Sequence, residues 1–339
     1  MSKRLRWAIM GTGNIARQFC AAVAASAQRS ELAAAGSRTR DAAGAFADAY
    51  RISRAYGSYD ELLADRDVDA VYISLPNSLH HEWTLKSLAA GKHVLCEKPF
   101  AVNAAQSEEM FAAADQRGLL LMEAFMYRSH PQTQRVLDII RGGEIGPVRL
   151  IRTSFCYRTT RIDDNIRFRA DLAGGALMDV GCYCISFSRL LAGNDPLAVT
   201  AAASMHERGI DQGVVATMRF PGGVLASFAC AMNIQADNSA HICGEEGYVQ
   251  IGWPWKPPRS AHFTMARGIP PRQDQRAGST APPPPRIITV DADRDLYALE
   301  ADDFAAAVLD GAPPRVTRDE TLGVMRVLDE MRGQIGLAY

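Results

Sequence analysis

The chain has 339 residues, 47% hydrophobic and 22% charged, the usage of an ordinary globular protein long enough for two domains. A formal net charge of −1 provides no field to gather nucleic acid or an anionic membrane, so a small molecule is the expected partner. No stretch reads as a secretory signal or as a span of about 20 apolar residues. Seven scattered cysteines suit buried free thiols rather than a disulfide framework or a metal cluster, so a cytoplasmic protein without a metal is expected.

Residues 5–10 form an apolar run that reads as a buried parallel strand. It leads into Gly11-Thr12-Gly13-Asn14-Ile15-Ala16 and an alanine-rich helical stretch. Gly11 permits the tight turn, Gly13 lets the backbone approach a diphosphate, and Ala16 keeps helix and strand close while the helix N-terminus faces the phosphates. A second strand near 31–35 ends at Gly36-Ser37-Arg38-Thr39-Arg40. No carboxylate stands there for a free ribose 2′-hydroxyl. The Ser37 hydroxyl and the Arg38 and Arg40 guanidinium groups suit a 2′-phosphate, which favours NADP over NAD. Otherwise the two arginines are solvated loop charges.

Apolar runs at 70–75, 93–96 and 119–122 alternate with helical stretches near 59–65, 78–90 and 103–117, the pattern of βαβ units around a parallel sheet. Ligands of such sheets bind beyond the carboxyl ends of the strands. That places Gly11, Ser37, Leu75-Pro76-Asn77 and Glu97-Lys98-Pro99 along one edge. Beyond residue 123 a helix near 130–142 precedes longer alternating segments at 148–157, 198–206, 214–220, 224–233 and 248–252, which read as antiparallel strands. Residues 253–286, rich in Pro, Gly and Arg, read as loop, and 296–309 and 319–335 return to amphipathic helix. The expected fold is α/β. A Rossmann domain at 1–122 precedes an α+β domain at 123–339, which carries a large, mostly antiparallel open sheet, and the last helices can pack back on the first domain.

A second chemical signal is Gly174-Gly175-Ala176-Leu177-Met178-Asp179-Val180-Gly181-Cys182-Tyr183. A helix starting near Leu177 would put Asp179 and Tyr183 at i and i+4 on one face. A phenol beside the Lys98 ammonium is a general base for a carbinol, and the cation is expected to lower the tyrosine pKa from about 10. Two readings stand at this level. Either Tyr183 and Lys98 are an acid–base pair, or Tyr183 is a core aromatic whose hydroxyl is satisfied by Asp179 and Lys98 is a loop lysine.

Together with Leu75-Pro76-Asn77-Ser78-Leu79-His80 and residues 90–99, these segments resemble the glucose-fructose oxidoreductase / inositol dehydrogenase / rhizopine catabolism family across essentially the whole chain. Glu97-Lys98-Pro99 in its strand context is the specific part. The resemblance implies a cofactor held by Gly11, Gly13, Asn14, Ile15, Leu75, Pro76, Asn77, His80 and Glu97, with Lys98 near the nicotinamide and Arg128 on the phosphates or in a salt bridge. Many members carry a histidine where this chain has Tyr183. The tyrosine resembles the branch containing dimeric dihydrodiol dehydrogenases, NADP-dependent D-xylose 1-dehydrogenases and glucose-fructose oxidoreductase.

On that resemblance Lys98 orients the substrate hydroxyl, Tyr183 accepts its proton, Asp179 positions the reacting oxygen, and hydride passes to nicotinamide without a metal. From their neighbourhood and chemistry, Tyr127, Arg128, Phe155, Tyr157 and Arg167 are candidates for the sugar-facing wall, unless Arg128 serves the phosphates or a salt bridge. The implied substrate is an aldopyranose of D-xylose or D-glucose type oxidised at C1. A trans-dihydrodiol or a glucose-fructose-type exchange are the alternatives, and a non-catalytic NADP sensor is the remaining one. The open sheet implies a homodimer or homotetramer.

Overall fold

The first sheet owes its parallel form to short, mostly buried strands linked by crossover helices. The structure, a computed structural model, describes residues 3–235, 238–268 and 284–338. Strands β1 (Leu5–Met10), β2 (Ser30–Gly36), β3 (Arg54–Tyr56), β4 (Ala70–Ile73), β5 (His93–Glu97) and β6 (Leu121–Ala124) lie in the order β3-β2-β1-β4-β5-β6, every pair parallel. The connecting helices are α1 (Asn14–Ser26), α2 (Arg40–Tyr50), α3 (Tyr59–Leu63), α4 (His80–Ala89) and α5 (Ala104–Arg117). Side chains of Thr39, Ser58 and Asn103 cap α2, α3 and α5, whereas α1 starts from Gly13 with no side-chain cap. Strand order reverses between β1 and β4, which opens the crevice at the carboxyl edge. The sheet runs to Ala124, two residues beyond the expected domain boundary at 122.

The second part contributes α6 (Pro131–Arg141), β7 (Val148–Cys156), α7 (Cys182–Ala192), β8 (Ala198–Met205), β9 (Asp211–Arg219), β10 (Leu225–Ala231), β11 (Ala240–Gly244), β12 (Gly247–Ile251), β13 (Ser260–Arg267), β14 (Arg286–Asp291), α8 (Leu296–Asp310) and α9 (Arg318–Gln334). Its eight strands run β14-β13-β12-β11-β7-β10-β9-β8, with β7 and β10 parallel and the other pairs antiparallel. In β9, Val214, Ala216 and Met218 are buried while Val215, Thr217 and Arg219 are exposed, so one face packs inward and the other is open. Helix α8 returns to the first domain. Its Phe304 ring meets Trp7 at 5.0 Å, and Asp302 accepts from the backbone N–H groups of Gln28 (2.7 Å) and Arg29 (2.9 Å) at the end of α1.

Three sequence expectations need correction. The 253–286 stretch is not all loop: Ala261, Phe263 and Met265 alternate into the core as β13, and the remaining 269–283 lies outside the described residues. Strands β3, β11 and β14 escaped pattern reading because they are short or exposed along one side. A helical stretch, Ala170–Ala192, is long and apolar enough by composition to cross a membrane, but 83% of its apolar window is buried inside the protein.

Candidate active site

The carboxyl edges of β1, β4 and β5 meet the second sheet around a cavity of about 570 Å³. On the first-domain side Gly13, Asn14, Ile15, Leu75, Asn77, Glu97 and Lys98 line it. Gly11 has φ +99°, and a Cβ there would press on Ser74 and Leu75 at about 3.0–3.1 Å, so glycine is required to turn the chain. At Gly13 a Cβ would meet nothing within 4 Å: the turn faces open space at an uncapped helix start with no acid in its first turn. Those features fit an arriving diphosphate. At the end of β2, Ser37 is buried with its hydroxyl 3.5 Å from that of Thr12. Arg38 and Arg40 are exposed and free of ion pairs among the described residues. The residues present therefore fit a dinucleotide.

The opposite wall is a side-chain network centred on Asp179. Its Oδ1 lies 3.2 Å from Lys98 Nζ, and its Oδ2 accepts from Tyr157 Oη at 2.7 Å and Arg167 Nε at 2.8 Å. Lys98 Nζ also donates to the Asp179 carbonyl at 2.8 Å and sits 5.1 Å from the centre of the Tyr183 ring. The Lys98–Pro99 peptide is cis. Burial alone would raise the Asp179 pKa, yet Lys98 and Arg167 hold its carboxyl well below the usual carboxylate range. Burial is the largest influence and would lower the Lys98 pKa, but Asp179, Cys182 and Glu97 together outweigh it and leave the ammonium above its ordinary value. Lysine and aspartate thus enter the site charged.

Asp179 is carried on a π-helical turn, Leu177–Gly181, that precedes α7, rather than on a regular α-helix beginning at Leu177. The turn is held from β9: the Asp211 carboxylate, itself buried, accepts from Leu177 N at 2.6 Å. Asp179 and Tyr183 still line the same cavity. The Tyr183 hydroxyl is not satisfied by Asp179. It donates to Met126 Sδ at 3.3 Å, and Tyr157 takes the carboxylate instead. Nor is its pKa lowered. Burial among Phe125, Phe155 and Trp255 pushes the phenol well above its ordinary value, while the charge of Lys98 is spent on Asp179.

Several expected contacts lie elsewhere. His80 is fully buried, with Nδ1 2.9 Å from Pro99 O and Nε2 2.9 Å from Leu75 O, so it braces the two loops that carry Leu75 and Lys98 without facing the cavity. Arg128 pairs with Glu320 at 2.8 Å. Tyr127 is buried with its hydroxyl 2.9 Å from that of Ser186, so it backs the pocket rather than lining it. Phe155, Tyr157 and Arg167 do line the cavity, whereas Pro76 is outside the lining set. Sequence reading missed Gln18, Lys256 and Tyr297, which also line it, and Trp255, which stacks on Phe155 at 5.6 Å. Two tryptophans around a proline at 253–255 were the available signal.

Comparison with known proteins identifies the family. Residues 5–125 match the model of an oxidoreductase family with an NAD-binding Rossmann fold, and residues 133–250 match the GFO/IDH/MocA C-terminal domain. The chain is 34% identical over 329 residues to D-xylose 1-dehydrogenase (NADP(+)) 2 of Haloferax volcanii, covering 96% of this chain and 95% of the relative. It is 36% identical over 255 residues to trans-1,2-dihydrobenzene-1,2-diol dehydrogenase of Mus musculus, covering 75% of this chain and 76% of that one. The crystal structure of a 3-ketoreductase from Actinomadura kijaniata, in complex with NADP and TDP-benzene, superposes with a TM-score of 0.87 at 33% identity over 98% of both chains. The chain belongs to the GFO/IDH/MocA family of oxidoreductases, with an NAD-binding Rossmann domain and the family's C-terminal domain.

Proposed function

We propose that this protein is an NADP-dependent oxidoreductase acting at the C1 hydroxyl of an aldopyranose of D-xylose or D-glucose type, with Lys98 and Tyr183 as its acid–base pair. The observation that carries the reading is the Lys98–Asp179 pair, 3.2 Å apart, beside the Tyr183 ring at the carboxyl edge of β5. The 2′-phosphate preference rests on Arg38 and Arg40 at the end of β2, where an NAD enzyme would carry a carboxylate. The relatives from Haloferax volcanii and Actinomadura kijaniata, whose names specify NADP and a sugar or ketone reaction, support the same choice.

Nicotinamide, when bound, supplies the hydride acceptor or donor. The chain's own residues hold the substrate oxygen and its proton. Lys98, kept charged by Asp179, donates to the reacting oxygen and stabilises negative charge developing there. Tyr183 exchanges its present weak partner, Met126 Sδ, for that oxygen and moves the proton. Because burial holds the phenol above its ordinary pKa, it is protonated at neutral pH and ready to donate toward a carbonyl; oxidation needs the phenolate. Asp179, fixed by Tyr157 and Arg167, positions the ammonium. Arg167 retains its terminal nitrogens for substrate hydroxyls, and Phe155 offers a ring face to the apolar side of a sugar.

That aromatic wall also favours a second reading, oxidation of a trans-dihydrodiol, in which Phe155 stacks on the ring carrying the diol. Reduced-nicotinamide absorbance with NADP⁺ and NAD⁺, against aldoses, inositols and trans-dihydrodiols, separates the two. Turnover of D-xylose or D-glucose with NADP⁺ is expected, and turnover confined to dihydrodiols would replace the sugar reading. In the assembled protein, the open face of the second sheet, with Val215, Leu225 and Ile287 exposed, is the proposed contact of a homodimer or homotetramer.

A further inference from the structure

Three cations line the cleft, and their partners differ. Lys98 and Arg167 share the Asp179 carboxylate, whereas Lys256 has no ion pair among the described residues. Its ammonium donates to Gln18 Oε1 at 3.4 Å, a long contact to a neutral group on α1, one turn beyond Asn14. The lysine is exposed as a residue, but its ammonium reaches into the cleft, where desolvation and then repulsion from Lys98 press its pKa below the usual lysine value.

The segment that presents it is fixed. Trp255 is buried and its indole Nε1 donates to Ser154 O at 2.8 Å, Gln132 Nε2 donates to Trp253 O at 3.1 Å, and Pro254 and Pro257 are buried on either side. A rigid strap following β12 in the second domain therefore carries a charge without an ion pair among the described residues across to the first helix of the first domain. Lys256, Gln18 and the Gly13 turn line the same cavity, and the Cβ position of Gly13 opens into space at a helix start with no cap and no acid.

We propose that Lys256 is a clamp supplied by the second domain, its ammonium binding the diphosphate of the nicotinamide dinucleotide at the start of α1. This rests on the dinucleotide reading given above. The hydrogen bond made by Lys256 lies on α1, the helix that starts from the Gly13 turn, which assigns the anion to the cofactor; because the ammonium also feels the charges of Lys98, Glu97, Asp179 and Arg167, binding of a phosphorylated substrate instead is an outcome that the titration below separates. The diphosphate is common to NADP and NAD, so the clamp serves both equally, whereas Arg38 and Arg40 serve the 2′-phosphate alone. A charge from the far domain also makes cofactor affinity depend on how the two domains are joined.

The test is a fluorescence titration of NADPH and NADH into the wild type and into Lys256→Met, Lys256→Arg and Arg38→Ala variants, with melting curves to verify folding. Lys256→Met is expected to weaken both nucleotides by the same factor, about tenfold or more. Lys256→Arg restores most of the affinity, and Arg38→Ala weakens NADPH alone. Unchanged dissociation constants in Lys256→Met, including the case where only the KM for the sugar rises, would overturn the clamp. A wild type that binds neither nucleotide would overturn the functional reading and the clamp with it.

Discussion

The two walls of the cleft are built by different means. The cofactor side is backbone: a positive-φ glycine, an open glycine turn and an uncapped helix start, with the arginines of the β2 end waiting in solvent. The substrate side is a side-chain network in which Lys98, Tyr157, Arg167 and Asp179 fix one another, with Tyr183 packed against an aromatic cluster. A backbone cradle binds one group in one place and tolerates side-chain changes nearby. A charged network couples every member, so one substitution changes the protonation and position of the rest. Changes on the cofactor side should therefore act on binding, and changes on the substrate side on turnover.

The largest expected effects lie in the network. Lys98→Met and Tyr183→Phe each lower kcat about 10³–10⁴-fold with NADPH affinity preserved, read by steady-state kinetics beside a binding titration. A large loss of NADPH affinity in either variant would erase the distinction between the walls. Next comes pH. Because burial raises the Tyr183 pKa, oxidation should accelerate as pH rises into the alkaline range while reduction falls, a divergence measured by kcat/KM profiles in both directions.

Asp179→Asn sharpens this picture. Without the carboxylate, burial and the charge of Arg167 act on Lys98 against only Glu97 and Cys182, so its ammonium deprotonates at lower pH and the alkaline loss of reductive activity moves toward neutrality. On the cofactor side Arg38→Ala should cost about tenfold in NADPH affinity with NADH unchanged.

The smallest effect is on stability, at the support of the π-turn. Burial pushes the Asp211 carboxyl up to about 7, above its unfolded value near 3.9. The folded state then holds the proton more tightly than the unfolded chain. Stability from this group is present below about pH 4 and is lost as pH rises toward 7. Asp211→Asn keeps an oxygen for Leu177 N and should flatten the dependence of Tm on pH across that interval.

The same contrast explains what was legible in the sequence. The Gly11–Ala16 turn, the alternation of strands and helices, and the edge bearing Lys98 could be read because local pattern fixes each of them. Asp179 and Tyr183 were legible as a spacing, but not which phenol takes the carboxylate: Tyr157 reaches it from β7's end and a π-turn sets its height, and neither is encoded in local periodicity. The direction of the Tyr183 shift was misjudged because a neighbouring cation counts for little once another group neutralises it, and the burial that dominates comes from Phe125, Phe155 and Trp255, distant in sequence. His80, Arg128 and Tyr127 have the right chemistry at the right chain positions, yet their partners Pro99, Glu320 and Ser186 claim them for structure. Lys256 was hidden in a stretch whose proline content reads as loop, although its neighbouring tryptophan anchors it to the pocket.

The central claim is that Lys98 does chemistry that cofactor binding does not require. The most direct measurement sets NADP⁺ reduction with D-xylose or D-glucose beside NADPH titration, for the wild type and Lys98→Met. Turnover by the wild type, its near-complete loss in the variant and unchanged NADPH affinity are the predicted results. Turnover that survives in Lys98→Met would contradict the account.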